Sequence, residues 1–162
     1  MGKQTKKLGS ELTAPTSALL AFVSGLHLTS VELQRLTSEK TSDFATPATL
    51  TTEHHTSVEH EEKGLVSILC RYSLRALPKG ANTAKASMSV VAIYSLHYAF
   101  DGELAEEFRS FLKQNALMTA WPYFRHVVQT CTSDMGLPPL TIDLIKATDK
   151  PSKKRNASPE KE

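Results

Sequence analysis

Two segments in the middle of the chain alternate between apolar and polar side chains with a period of two. They are GLVSILCRYSLRAL, residues 64–77, and ASMSVVAIYSLHYAF, residues 86–100. Their apolar faces consist of Val66, Ile68, Cys70, Tyr72, Leu74 and Ala76 in the first segment, and of Met88, Val90, Ala92, Tyr94, Leu96, Tyr98 and Phe100 in the second. The pattern predicts two antiparallel strands of one meander, joined by the turn residues PKGANTAK. Strands of this length are unusually long and predict a large, twisted sheet.

Two earlier segments complete the predicted sheet. In LHLTSVELQRL, residues 26–36, the apolar positions change phase at Thr29 and Ser30, which indicates a strand with a β-bulge. Residues 37–48, TSEKTSDFATPA, are polar and predict a turn or loop. TLTTEHHTSVE, residues 49–59, is rich in threonine and has few apolar positions, which is typical of an edge strand.

The apolar period becomes helical after Asp101, which is the predicted N-cap. The acidic residues that follow it are favoured at the positive end of a helix. One apolar stripe predicts a first helix that ends near Asn115, and it consists of Leu104, Phe108, Phe111 and Leu112. A second stripe, with alternating spacings of four and three residues, consists of Leu117, Trp121, Phe124, Val128, Cys131 and Met135.

Proline and glycine positions predict where these helices begin and end. Pro122 has no amide hydrogen and fits the first turn of a helix, so it predicts a break or restart between Asn115 and Trp121. Gly136, which two prolines follow closely, predicts the end of the second helix. Strands followed by helices predict an α+β fold, in which C-terminal helices pack on one face of a long, twisted, four-stranded antiparallel sheet.

Length and charge predict one globular domain with two basic ends. The 162 residues carry a net charge of +2, but residues 1–10 and 146–162 each carry +3, which leaves −4 on the rest. Such a body does not predict a nucleic-acid partner, and no apolar run is long enough for membrane insertion. The apolar run SALLAFV at 17–23 is too short for a secretory signal and predicts a short first element. We expect a partly disordered N-terminal segment at 1–24, one domain at 25–145, and a disordered basic tail at 146–162.

The sequence carries few signs of catalytic chemistry. It contains no phosphate-binding glycine loop, no nucleophile elbow and no HExxH motif. Cys70 and Cys131 are too few for a disulfide framework or a zinc site, and they predict a reduced, cytoplasmic protein. The densest polar cluster is EHHTSVEHEEK, residues 53–63, where metal ligation is an alternative to a solvated edge strand. We predict a protein that is not an enzyme, with no catalytic or metal site and no cofactor.

The predicted elements carry more apolar surface than one layer of helix on sheet can bury. Tyr123 and Val127 lie outside the main helical stripe, and Val91 and Ile93 lie on the more polar face of their strand. Surplus apolar surface on a small domain is typical of self-association or of a binding groove for other chains.

One motif resembles that of a known family. The segment WPYFR, residues 121–125, is similar to the aromatic-Pro-Tyr-x-Arg motif at the long helix of SecB-family chaperones. Further along, Gly136 and the segment LPPLTI resemble the extended loop of that family, and the order of strands is also that of the family. The MGLPPLT form resembles the branch attached to toxin–antitoxin systems more than the export branch.

The resemblance implies an ATP-independent holdase. SecB-like proteins are tetramers, dimers of dimers, with sheets outside and long helices packed between dimers, and unfolded client segments wrap around them in apolar grooves. Export-type members have a further helix near where they engage the translocase ATPase SecA, whereas only LTIDLIK precedes the tail here. The resemblance therefore leaves SecA binding open, and an antitoxin is as well supported a client as an unfolded preprotein.

Our interpretation is a cytoplasmic homotetrameric chaperone that binds unfolded or aggregation-prone polypeptides in apolar grooves. The residues assigned to the groove or its support are Phe100, Leu104, Phe108, Trp121, Tyr123 and Leu140. Those assigned to helix packing or an oligomer interface are Val128, Cys131 and Met135. One alternative is a non-catalytic adaptor or structural subunit that binds folded partners. A second is a small enzyme that uses His126 and the cluster at 53–63.

Overall fold

A computed structural model describes residues 13–41, 48–78 and 86–144 of the protein. The elements in chain order are α1 (Thr13–Ser24), β1 (His27–Lys40), β2 (Ala48–Glu62), β3 (Leu65–Pro78), β4 (Met88–Ala99) and α2 (Glu106–Asp134). The strands form one antiparallel sheet in the order β1-β4-β3-β2, and α2 packs against β2, β3 and β4. The predicted α+β fold with a long four-stranded antiparallel sheet is confirmed.

The core lies between α2 and one face of β3 and β4. Every residue of the two predicted apolar faces is buried, which confirms their alternating pattern. Helix α2 contributes Leu112, Ala116, Ala120, Trp121, Phe124 and Val128. Tyr72 of β3 lies at the centre, where its ring stacks on Phe124 at 5.0 Å and its hydroxyl donates to the Leu117 carbonyl at 2.6 Å. Most residues of the second predicted apolar stripe, which begins at Leu117, are thus buried against the sheet.

Strand β1 contains two bulges that keep its apolar residues on one face. Its pairing with β4 shifts between Leu28 and Ser30, which confirms the predicted bulge, and shifts again between Leu33 and Arg35. Side chains that pair across neighbouring strands lie on the same face of a sheet. The β1 residues that pair with buried residues of β4, and therefore lie on the α2 side, are Leu28, Val31, Leu33 and Leu36.

The connection between β1 and β2 begins later than predicted. Strand β1 continues to Lys40, which pairs with Met88, so the predicted loop at 37–48 is wrong over its first residues. These polar residues extend the strand because β4 offers them a complete ladder of backbone partners. Strand β2 lies at the edge of the sheet, which confirms the predicted edge strand.

The C-terminal helical region is a single helix of 29 residues and not two helices. The predicted break at 115–121 is wrong, because Pro122 lies inside the helix. This proline cannot donate to the Met118 carbonyl, and a proline in a helix interior costs about 3 kcal/mol. The helix stays continuous because Ala116 and Phe124, on either side, are fully buried, whereas the proline itself is exposed and water can hydrate the free carbonyl.

The beginning of α2 also differs from the prediction. The helix begins at Glu106 after Ala105, so Asp101 is not its N-cap. Gly102, with a φ of 90°, turns the chain after β4, and Leu104 is buried in the core before the helix starts. Because the burial of Leu104 holds the chain in a non-helical conformation, the helix begins too far along the chain for Asp101 to cap it.

The end of α2 confirms the predicted stop at Gly136. This glycine has a φ of 72°, its amide donates to the Ser133 carbonyl, and the Leu137 amide donates to the Thr132 carbonyl, each at 2.9 Å. The two bonds form a Schellman motif. In addition, the ammonium group of Lys40 from β1 donates to the Met135 carbonyl, which places a cation at the negative end of the helix.

The predicted short first element is α1. Phe22 of this helix stacks on Phe108 at 4.4 Å and lies 5.9 Å from Phe100, so α1 packs at the start of α2. Residues 1–12, within the predicted N-terminal segment, and the predicted tail at 146–162 lie outside the described residues. Within the described ranges, no helix is long and apolar enough to cross a membrane.

Candidate functional site

The residues predicted to bind peptide lie at separate positions in the structure. The buried ones are Phe100, Leu104 and Trp121, and the partly buried ones are Phe108 and Leu140. Tyr123 is half exposed. Of the residues predicted for helix packing or an oligomer interface, Val128 and Cys131 belong to the core and Met135 is partly buried against it. The binding and assembly roles of all nine residues stay predictions.

One group of these residues meets α1 rather than the rest of the predicted groove. Phe100 and Phe108 lie against Phe22, a contact that sequence analysis missed. The signal for it was an uncharged helix of 12 residues that must rest on an apolar surface. Two other apolar residues of α1, Leu20 and Val23, are exposed.

A second group forms an exposed apolar surface between β1 and α2, defined here as the β1 surface. It consists of Leu33, Leu36 and Tyr123, with exposed fractions of 46, 43 and 50%. Leu33 pairs with Tyr94 of β4, and the Tyr94 ring lies 6.3 Å from that of Tyr123, so strand and helix residues adjoin here. Because α2 packs over β2, β3 and β4, the leucines of β1 lie beyond the edge of the helix.

The hydroxyl of Tyr94 is a buried donor without a partner beneath the β1 surface. Its side chain is almost fully buried, and its oxygen forms no hydrogen bond within the described part of the chain. Burial raises the pKa of Tyr94 to about 12, so the phenol stays neutral at physiological pH. A buried unpaired polar group costs about 1–3 kcal/mol of folding free energy.

The chain after Gly136 returns along α2 as an extended segment, residues 137–144, which we call the strap. Arg125 Nε donates to the Ile142 carbonyl at 2.9 Å, and Trp121 Nε1 donates to the Asp143 carbonyl at 3.0 Å. The Leu140 amide donates to Thr132 Oγ1 at 3.1 Å. Two conspicuous residues of the WPYFR segment, Trp121 and Arg125, therefore hold main-chain atoms of the strap.

The open face of the sheet carries a polar cluster without a catalytic arrangement. Ser95 Oγ donates to Glu59 at 3.0 Å, while His97 Nε2 lies 3.3 Å from Ser95 Oγ and 3.9 Å from Glu32. Serine and carboxylate thus meet the same ring nitrogen, whereas a catalytic triad uses both nitrogens. Among the described residues, no three His, Cys, Asp or Glu side chains converge to hold a metal ion.

The buried thiol and phenols behave as core groups. Burial raises the pKa of Cys70 to about 12, so its thiol is protonated at neutral pH and is a poor nucleophile. Burial is also the main cause that raises the pKa of Tyr98 to about 12, and its hydroxyl donates to Asn115 at 3.1 Å. At neutral pH the Cys70 thiol and the Tyr98 phenol are therefore uncharged groups that pack in the core.

Comparison with solved structures identifies the fold. A SecB-like chaperone from Mycobacterium tuberculosis, in complex with a ChAD peptide from the HigA1 antitoxin, is similar to this chain with a TM-score of 0.64. The match covers 76% of this chain and 93% of that chain at 16% sequence identity. The protein thus has the SecB-like fold.

A weaker likeness, with a TM-score of 0.44 and 12% identity, is to a protein of unknown function from Streptococcus agalactiae, over 74% of this chain and 97% of that chain. No family model and no curated protein sequence matches the chain.

Proposed function

We propose that this protein, which has the SecB-like fold, is an ATP-independent chaperone that holds unfolded or aggregation-prone polypeptides. The observation that carries the proposal is the number of large apolar residues that are exposed to solvent in this small domain. Among the described residues, the large apolar side chains exposed by 40% or more are Leu20, Val23, Leu28, Leu33, Leu36, Leu50, Leu65, Met118, Tyr123 and Leu144. Exposed apolar surface is unfavourable in water. Covering it with a partner contributes about 25 cal/mol of binding free energy per Å² of apolar surface buried.

The arrangement of this surface supports the binding of extended chains. Exposed apolar residues lie on several elements rather than in one enclosed pocket, with Tyr123 and Met118 on α2 and Leu33 and Leu36 on β1. Open, elongated apolar surfaces suit polypeptide segments, whereas small molecules bind in concave sites that enclose most of their surface. The net charge of −4 on the body outside the basic ends favours clients with basic segments.

The β1 surface is also our proposed site of self-association. Strand β1 is an edge strand, so it offers unpaired backbone groups beside Leu33 and Leu36. Met135, predicted at an oligomer interface, lies at the same side of the fold, since its carbonyl accepts a hydrogen bond from Lys40 of β1. Val128 and Cys131 support α2 from the core behind it. Assembly into a homotetramer, a dimer of dimers, would cover part of the exposed surface.

The client is proposed by chemistry and by analogy. The similar chaperone of known structure binds a peptide of an antitoxin, and an antitoxin with an aggregation-prone segment is therefore one candidate client. Unfolded preproteins are another, because apolar contacts recognise composition rather than a defined sequence. Both clients would be met in the cytoplasm.

The proposal is tested by aggregation of a chemically denatured reporter protein on dilution, followed by light scattering without ATP. We expect the purified protein to suppress scattering at near-equimolar ratio, and serum albumin at the same concentration serves as the control. Equal scattering with both proteins would reject the chaperone function. Binding of a folded partner without any effect on the denatured reporter would instead support the adaptor alternative.

A further inference from the structure

The open face of the sheet has a depression beside the turn between β2 and β3. Its volume is about 360 Å³, and all four strands contribute to its lining. The lining residues that carry the inference are Glu32 of β1, His60 and Glu62 of β2, Leu65 and Ser67 of β3, and His97 of β4. No lysine or arginine is among the described residues that line it, so the carboxylates give the depression a negative potential.

Ser67 lies between two histidines in the lining of this depression. His60 of β2 and His97 of β4 both pair with it, so the three side chains form one row across the open face. Ser67 is only 5% exposed, yet its hydroxyl forms no hydrogen bond within the described part of the chain. Buried hydroxyl groups normally have a partner. The hydroxyl of Ser67 is therefore a donor and acceptor that a ligand in the depression would satisfy.

Each histidine of this row lies beside a carboxylate. His60 Nε2 is 2.9 Å from Glu62 Oε1, and His97 Nε2 is 3.9 Å from Glu32 Oε1. A neutral imidazole that donates from Nε2 keeps Nδ1 as an acceptor. The depression therefore presents hydrogen-bond acceptors on both sides of Ser67, with a carboxylate at each end of the series.

The two carboxylates are too far apart to bind one small ion together. Glu32 and Glu62 lie on the two edge strands, so at least three strand spacings, or about 14 Å, separate their backbones. Among the described residues, no three His, Cys, Asp or Glu side chains converge to hold a metal ion. An elongated cation fits this arrangement better, because Leu65, which is 50% exposed, offers apolar surface to methylene groups between its charges.

We propose that this depression is a binding site for a linear aliphatic polyamine. The terminal ammonium groups of the ligand pair with Glu32 and Glu62, an inner nitrogen donates to Ser67, and the methylene chain lies against Leu65. One exposed ion pair contributes little, but two that a single ligand makes at once act together. The site lies on the face of the sheet opposite α2 and does not depend on the proposed chaperone function.

The test is isothermal titration calorimetry of the full chain with spermine, spermidine and putrescine at matched ionic strength. We expect affinity to fall in that order, because the shorter amines do not reach both carboxylates. Replacing Glu32 and Glu62 together by glutamine should lower the affinity for spermine by about tenfold, and Ser67→Ala should lower it by about threefold. Glu53→Gln, at another exposed position on the open face of β2, serves as the control and should leave the affinity unchanged.

Two outcomes of the titrations would overturn the proposal. One is equal spermine affinity in the double variant and in the Glu53→Gln protein, and the other is putrescine binding as tight as that of spermine. Lysine side chains carry the same ammonium group, so an acetylated trilysine amide is titrated as well. Tighter binding of this peptide than of spermidine, which has the same charge, would assign the site to a polypeptide and reject the polyamine.

Thermal unfolding provides a second measurement that also shows whether each variant is folded. A ligand that binds only the folded state raises the unfolding temperature as its concentration increases. Spermine should therefore raise the unfolding temperature of the unsubstituted protein and of the Glu53→Gln protein. A rise of the same size in the double variant of Glu32 and Glu62 would contradict the site.

Discussion

Two tyrosines on neighbouring strands have buried hydroxyl groups that differ in hydrogen bonding. Tyr72 donates to the Leu117 carbonyl, whereas Tyr94, whose ring lies 6.1 Å away, has no partner for its oxygen among the described residues. The sequence predicted that both rings face the core, because both follow the alternation of their strands. Which hydroxyl finds an acceptor could not be predicted, since it depends on where a helix carbonyl lies in space.

This contrast predicts opposite effects of the same substitution. Tyr94→Phe removes an unpaired buried hydroxyl and should raise the free energy of unfolding by up to about 1 kcal/mol, whereas Tyr72→Phe removes a hydrogen bond and should lower it by about 1 kcal/mol. Urea denaturation of the two variants measures the difference, and each serves as the control of the other. Equal destabilisation by both would mean that the Tyr94 hydroxyl has a partner in solution.

Among the elements, the sequence predicted strands better than helix boundaries. A period of two over 64–77 and 86–100 fixes which side chains are buried, because each strand must cover the same core. The helical region was predicted to break at Pro122, because local preference argues against an interior proline. Packing of buried residues on both sides of that position outweighs this preference, and the strength of packing is not written in the local sequence.

The continuity of α2 has a consequence for its stability. Pro122→Ala restores a donor for the Met118 carbonyl and gains about 3 kcal/mol of helix preference, offset by about 1 kcal/mol from a more flexible unfolded chain. We therefore expect the free energy of unfolding to rise by about 2 kcal/mol. Thermal and urea denaturation provide the measurement, and Ser110→Ala, at another exposed position of α2, serves as the control with a gain of about 0.5 kcal/mol. Destabilisation by Pro122→Ala would show that the proline ring itself contributes to packing.

For the whole molecule, the sequence predicted that apolar surface would be left exposed, but it did not predict where that surface lies. The sequence indicated surplus apolar residues through Tyr123 and Val127, yet the leucines of β1 were not among the predicted site residues. Their irregular spacing hid them, because only the bulge at Gln34 brings Leu33 and Leu36 to one face. Whether a leucine lies under α2 or beyond it depends on the position of the helix across the sheet, which no local pattern encodes.

The location of this surface predicts how assembly can be disrupted. Replacing Leu33 and Leu36 together by glutamate places charges on the proposed interface and should convert the proposed tetramer to smaller species. Thr37→Glu, on the opposite face of the same strand, should leave the mass unchanged. Size-exclusion chromatography with light scattering measures the mass of each protein. A monomeric unsubstituted protein, or a double variant of full mass, would contradict the proposed role of the β1 surface.

The two bulges also determine which changes in chain length β1 tolerates. Fourteen residues of β1 lie opposite twelve of β4, and Thr29 and Gln34 are the residues without a paired position. Deleting either one would leave the pairing on both sides intact, whereas a deletion within β3 would turn every following side chain to the other face. Homologous strands can therefore differ in length by one or two residues and still place the same leucines on the α2 side of the sheet. An alignment gap at either bulge of β1 would therefore not indicate a different fold.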